Sequence, residues 1–374
     1  MLAAPAFAAG AQHVETVAGV VQRNDAGTLR PVPSVWVVLH RVGRDTAAPV
    51  DSTRTDARGR YRVRHETRRD SAVFFASTVY GGVAYFTPPA RGGDTAAANG
   101  LLTVYDTSSA GEPVRTRGRH VIVSSPDRDG RHAIAEVFEL ENAATTTRVA
   151  GRGASWSTVL PRAAQDVRVE QGDVAPDAVA MREGRVDVFA PFPPGLRQVA
   201  FSYAIAAGEF PLSLAVPDST TVLEVLIEGA GGVSEGAGLL REDAVTLQGQ
   251  TYQRFLARNV VPGVSFTVDV PAGGRRPINI TVVITVGLLG IVLLLAVARA
   301  ALGARAAPAR SSREAADRLT AATAHRLATR IAHLDTSFER RRNPSAEERA
   351  TYEARRDALK RELTEVLAER DEQL

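Results

Sequence analysis

Gly232-Val233-Ser234-Glu235-Gly236 has the spacing of a serine-hydrolase nucleophile elbow, in which a sharp strand-to-helix turn presents a serine hydroxyl to a general base. That chemistry needs a histidine and a carboxylate beside the serine. No histidine lies between His132 and His325, and no helix signal follows Gly238, so the motif lacks both its base and its turn. GAGGVSEGAG is expected to be a flexible glycine-rich loop. His13, His40, His65, His120 and His132 show no HExxH or similar metal spacing, and no carboxylates pair at catalytic positions. Asp127 and Asp129 before Gly130 resemble the start of a calcium loop, but the downstream acidic ligands are missing, and PDRDG reads as a hairpin turn. The chain has no cysteine, which excludes disulfides, zinc–thiolate sites and CxxCH haem attachment. The expectation is a protein without catalytic, metal or cofactor-binding residues, and not an enzyme.

Arginine offers a different chemistry. Gly59-Arg60-Tyr61-Arg62-Val63-Arg64-His65 alternates strictly, so on a strand Arg60, Arg62 and Arg64 share one face and Tyr61, Val63 and His65 the other. The row would suit anionic headgroups, acidic glycans or an acidic partner; it would equally be the solvated face of an ordinary sheet. Lys360 is the only lysine among 45 basic residues, and the formal net charge is +3. So strong an arginine bias points to a GC-rich genome, and no nucleic-acid partner is expected.

The elements that position these residues are short strands. Val14 to Val21, Val35 to His40, Tyr61 to His65, Ala72 to Val79 and Leu101 to Tyr105 are rich in β-branched and aromatic residues and are separated by turn formers. RHVIVSS and RHAIAEVFELEN flank the PDRDG turn, and Arg185 to Ala190, Gln198 to Ala206 and Phe210 to Val216 continue the pattern. Thr221 to Glu228, Ala244 to Leu247, Thr251 to Leu256 and Val264 to Val270 form a third stretch. Trp156, Phe192, Phe201, Tyr203 and Phe210 read as core. The fold class is mainly β: tandem β-sandwiches at 13–110 and 111–217, with a third β region at 218–276 that either stands alone or belongs to the second.

Gly19 and Val21, then Pro31, Val32, Val35, Val37 and Leu39, then Thr55, Asp56, Gly59 and Tyr61 resemble the carboxypeptidase regulatory-like family, over about residues 14 to 107. The resemblance implies a transthyretin-type β-sandwich acting as an accessory module for protein or carbohydrate contacts. The residues Thr28 to Arg30 interrupt the family pattern between Gly27 and Pro31.

Ile278 to Ala298 contains no charged residue, and as a helix it would be roughly 30 Å long, the thickness of a bilayer core. Arg299, Arg305, Arg310, Arg313 and Arg318 follow it, against Arg275 and Arg276 before it. The positive-inside rule then predicts a single transmembrane helix at 278–298, an exported N-terminal part and a cytoplasmic tail. Residues 1–12, ending an apolar patch at Ala6-Phe7-Ala8, read as the remnant of a signal peptide with cleavage near Ala8 or Ala11. A bacterial inner membrane protein facing the periplasm or exterior is the expectation.

After an Ala/Pro/Arg linker the period changes. Leu319, Thr323, Leu327, Ile331, Leu334 and Phe338 fall on one helical stripe, and Tyr352, Leu359, Leu363, Val366 and Leu367 on a second. Arg340 to Pro344 breaks them and Ser345 to Glu348 supplies a capping box, so 311–374 should form a helical hairpin or coiled coil. The face built from Leu327, Ile331, Leu334, Phe338, Tyr352, Leu359 and Leu363 is the candidate docking face, for self-packing or for a partner. Leu334, Asp335, Phe338, Glu339, Tyr352, Arg355, Arg356, Leu359, Lys360 and Leu363 resemble the helical tails of membrane-anchored bacterial proteins, some encoded with cytochrome c maturation machinery. The function expected is a non-catalytic membrane-anchored scaffold or recognition protein of the cell envelope, accessory to assembly such as cytochrome c biogenesis, with protein partners. The alternative is a receptor for glycan or another envelope ligand, bound through the first sandwich.

Overall fold

The computed structural model describes residues 13–43, 47–67, 72–91, 100–182, 184–247, 249–270, 327, 334–335 and 346–372. Among the described residues the chain is mainly β, with a helix near its C-terminus, and it divides into two compact units, Met1–Asp106 with Arg310–Leu374, and Thr107–Ala309.

The first unit contains β1 (His13–Asp25), β2 (Thr28–Pro31), β3 (Trp36–Val42), β4 (Ala47–Arg54), β5 (Arg60–Thr67), β6 (Val73–Tyr80), β7 (Val83–Phe86), β8 (Ala90–Arg91), β9 (Gly100–Val104) and the helix α1 (Ala346–Glu372). One sheet runs β2-β1-β5 with β9 added in parallel to β1; the other runs β4-β3-β6-β7 with β8 on β6. The sheets meet through alternating residues. Val21, Tyr61, Val63 and Leu102 of one sheet and Val37, Leu39, Phe74 and Ala76 of the other are buried, and the His65 and Phe74 rings lie 4.3 Å apart.

The turn into β5 shows why Thr55, Asp56 and Gly59 stand where they do. Asp56 Oδ1 accepts the amides of Arg58 and Arg60, both at 2.8 Å, and these bonds hold its carboxyl below the usual range. Gly59 has φ +71°, and a Cβ there would lie 2.5 Å from the Val21 carbonyl oxygen. Thr55 donates to the Val32 carbonyl at 2.7 Å and accepts the Val35 amide at 3.0 Å, tying the turn to the connection between β2 and β3. Strands β2, β4, β7 and β8 are additions to the expected set. AAPVDSTR of β4 carries Pro49 and Asp51, no β-branched run and a mostly exposed surface, as an edge strand does.

The second unit contains β10 (Thr107–Ser108), β11 (Arg115–Pro126), β12 (Arg131–Asn142), β13 (Thr147–Arg148), β14 (Trp156–Val159), β15 (Gln165–Val169), β16 (Val179–Arg182), β17 (Arg185–Val188), β18 (Gly195–Ala206), β19 (Leu212–Val216), β20 (Thr220–Glu228), β21 (Val233–Gly236), β22 (Leu240–Leu247), β23 (Gln250–Val260) and β24 (Val264–Asp269). Its main sheet has the order β15-β18-β12-β11-β20-β23-β22, and three-stranded sheets β19-β24-β21 and β14-β17-β16 contribute to the same core. The stretches 111–217 and 218–276 are therefore interleaved: each supplies strands to the main sheet and to the β19-β24-β21 sheet. Trp156, Phe192, Phe201 and Tyr203 are buried in the core, with Phe210 against it.

Two sequence readings on this unit are settled by local geometry. Asp127 Oδ1 accepts the amides of Asp129 and Arg131 at 2.9 and 2.8 Å, and Gly130 has φ +74°, so Asp127 and Gly130 build the hairpin turn. The expectation of a loop over GAGGVSEGAG needs correction: Val233–Gly236 pairs with β24 as β21. Pairing with β24 supplies backbone partners that local glycine content does not reveal.

Ile278 to Ala298, expected to span the membrane, and residues 1–12, expected to be a signal-peptide remnant, lie outside the described residues; among the described residues no helix is long and apolar enough to cross a membrane.

Candidate functional site

Ser234 sits within a strand and donates to the Thr267 carbonyl at 2.9 Å, without the strand-to-helix turn of a nucleophile elbow. Among the described residues no three His, Asp or Glu side chains group as metal ligands.

Two networks of buried charged groups lie in the described part of the second unit. Arg119 and Glu136 are 1% and 0% exposed and pair at 2.8 Å. Tyr203 donates its hydroxyl to the other Glu136 oxygen at 2.7 Å, and burial first, with the Glu136 charge, pushes that phenol well above its ordinary range. Arg119 also reaches the Ala215 carbonyl of β19 and lies 5.2 Å from the Phe138 ring and 5.5 Å from that of Phe266. It thereby joins the main sheet to the β19-β24-β21 sheet. On the opposite face, His120 Nδ1 lies 2.8 Å from Glu224 Oε2, and Arg254 Nε donates to Glu224 Oε1 at 2.7 Å. Burial would raise the Glu224 carboxyl, but the bonds from His120 and Arg254 outweigh it and hold it low. Sequence reasoning missed both networks. The available signal was parity: Glu136 alternates with Ile134, Phe138 and Leu140, and Arg119 with Val121 and Val123, all core positions.

Arg60, Arg62 and Arg64 are all exposed on β5, while Tyr61, Val63 and His65 are buried. Among the described residues strand β5 pairs only with β1, which puts the row along a sheet edge. Its cross-strand neighbours are Val20, Ala18 and Thr16, and Val20 in turn pairs with Leu101, which is 49% exposed. The outer face thus carries guanidiniums at every second residue, roughly 7 Å apart, beside a floor of small and aliphatic side chains. No family model matches the chain, and no curated protein matches it. The reading of this surface rests on its own chemistry: arginine forks bind carboxylate and phosphate through two parallel hydrogen bonds.

The candidate docking face of the tail is split by the structure. Ile331 and Phe338 lie outside the described residues, as does the side chain of Leu363. Leu327 is fully buried in a cluster with Val42, Ala47, Val73 and Phe75, and Leu359 packs on that cluster. Tyr352 donates to Asp335 Oδ1 at 2.6 Å and Arg356 Nε to the same oxygen at 2.9 Å; Leu334 is half-buried beside them.

His40 lies on the same sheet face, stacked on Phe75 with ring centres 4.9 Å apart and sharing a 2.8 Å hydrogen bond with Ser77 Oγ. Burial lowers its pKa from 6.5 to about 4, against the opposing pull of the Asp335 charge. Between those values the unfolded chain binds the proton and the folded one does not. The His40 contribution is therefore complete above pH 6.5 and is lost as pH falls toward 4, by up to about 3 kcal/mol. Urea midpoints at pH 7 and pH 4.5 should converge in His40→Gln relative to the native chain; an unchanged difference would show that this imidazole does not titrate against folding.

Proposed function

We propose that this chain is a non-catalytic recognition and scaffold protein of the cell envelope, held at the membrane by Ile278 to Ala298 with its β units exported. The observation that carries the reading is the edge row Arg60, Arg62 and Arg64, exposed together beside Leu101 and Val20. An anionic polymer or acidic protein surface fits it, because each guanidinium can engage one acidic group while the floor accepts apolar contact. The transthyretin-type resemblance supports an accessory module, and the resemblance of the tail makes extracytoplasmic assembly, cytochrome c biogenesis included, the setting in which to seek partners.

Reversing all three charges, Arg60→Glu, Arg62→Glu and Arg64→Glu, should weaken retention of the purified protein on acidic polysaccharide or peptidoglycan at least about tenfold. Thermal stability should change little, since exposed substitutions cost within about 0.5 kcal/mol each. Equal retention of the triple variant and the native chain would refute the arginine row as a contact surface.

The side of the membrane on which the tail lies has two readings. The arginine excess after Ala298 favours the cytoplasm. The seating of Leu327 and Leu359 on the first unit favours the side of the sandwich. A single crossing between them is compatible only with the first.

A further inference from the structure

The outer face of the β4-β3-β6-β7 sheet is apolar at the end where an ordinary outer face is polar. Strand pairing sets Val42 opposite Val73 and His40 opposite Phe75, on the face away from Val37, Leu39 and Ala76. Exposed, Val42, Ala47, Val73 and Phe75 would form a sticky patch beside the edge strand β4. They are buried instead, beneath Leu327 and Leu359. Polar contacts frame this apolar seat. Arg356 donates one guanidinium nitrogen to the Ala47 carbonyl on β4 and pairs with Asp335, which also receives the Tyr352 hydroxyl. Side-chain fit, an edge carbonyl that gains a donor and a paired carboxylate all converge on one placement of α1.

We propose that this sheet face is a docking surface whose occupant is the chain's own C-terminal helix, so that the tail clasps the N-terminal unit and both lie on one side of the membrane. The clasp decides between the two readings of the tail, and it is independent of what the arginine row binds. It also gives the stripes at Leu327 and Leu359 a function that an isolated short hairpin lacks, since so small a unit buries too little apolar surface to hold by itself.

The chain has no native cysteine, so an introduced pair is unambiguous. In full-length protein in native membranes, Ala47→Cys with Leu359→Cys should cross-link within one chain through a short bismaleimide. Adding Leu327→Asp, which puts a charge into the cluster, should cut the yield at least about fivefold. In sealed spheroplasts a membrane-impermeant maleimide should label Arg62→Cys and Glu353→Cys alike, both being exposed positions. Labelling of Arg62→Cys alone would establish a single crossing and overturn the clasp. So would a cross-link that appears only between chains, or none. Loss of polysaccharide retention on arginine reversal would leave these outcomes untouched, so the two proposals fail separately.

Discussion

Glu136→Ala is expected to destabilise the second unit by about 3–5 kcal/mol, the cost of stranding a charge in a core. The variant leaves the Arg119 guanidinium, 1% exposed, without its counterion between the Phe138 and Phe266 rings. It also leaves the Tyr203 hydroxyl without its acceptor. Burying an unpaired cation is the expensive part, and an apolar replacement of the whole pair avoids it. Arg119→Met combined with Glu136→Leu should therefore recover the part of the loss that comes from the stranded cation, although the Ala215 carbonyl forfeits a donor and the Tyr203 hydroxyl still lacks its acceptor. Urea unfolding of the three proteins measures this directly. A Glu136→Ala cost below about 1 kcal/mol, or a double variant no better than the single, would mean that water or a rearranged partner reaches Arg119.

Gly19→Val should disrupt the first unit to a comparable degree. Gly19 faces Gly100 in the parallel β1–β9 pair, and a Cβ on Gly19 would lie 1.8 Å from the Gly100 carbonyl oxygen. One on Gly100 would lie 2.2 Å from the Ala18 carbonyl oxygen. These are backbone atoms, which cannot rotate aside as a side chain would, so the strands must separate. Separation also removes the 2.7 Å bond from the Tyr61 hydroxyl to the Gly100 carbonyl and exposes Leu102 and Val104. The cost is about 3 kcal/mol or more, at the upper end of overpacking. Hydrogen exchange should show the β9 amides losing protection before those of β6. Gly153→Ala, with no atom near its would-be Cβ, is the neutral control. Near-equal stability of Gly19→Val and the native chain would show that β9 can shift away from β1 without loss.

Much of the strand set is legible because β-branched alternation is a local signal. Val35 to His40, Tyr61 to His65 and Gln198 to Ala206 carry it and become β3, β5 and β18, with ends shifted by a few residues. Strands β4 and β21 are not legible. Their residues are polar, exposed or glycine-rich, and only the neighbouring β3 and β24 make them strands. The facing of Arg60, Arg62 and Arg64 follows from a period of two, whereas their place at an edge depends on which strands β5 meets, a nonlocal fact. The buried pairs show the same limit. Glu136 at a core position marks an anomaly in the sequence, but Arg119, 17 residues away, and Tyr203, 67 residues away, become its partners only when β11, β12 and β18 align.

The sequence alone determined what short-range pattern and composition can determine: a mainly β chain without cysteine chemistry, an uncharged run of bilayer length, a row of three arginines facing one way and apolar helical stripes in the tail. Only the tertiary structure decided the pairings: that 111–217 and 218–276 share their sheets, that Arg119 finds Glu136, and that Leu327 and Leu359 rest on the outer face of β3 and β6. The reason is physical. A side chain's periodicity states which face it shares, but the free energy of burial depends on what covers that face, and that partner is distant in the chain.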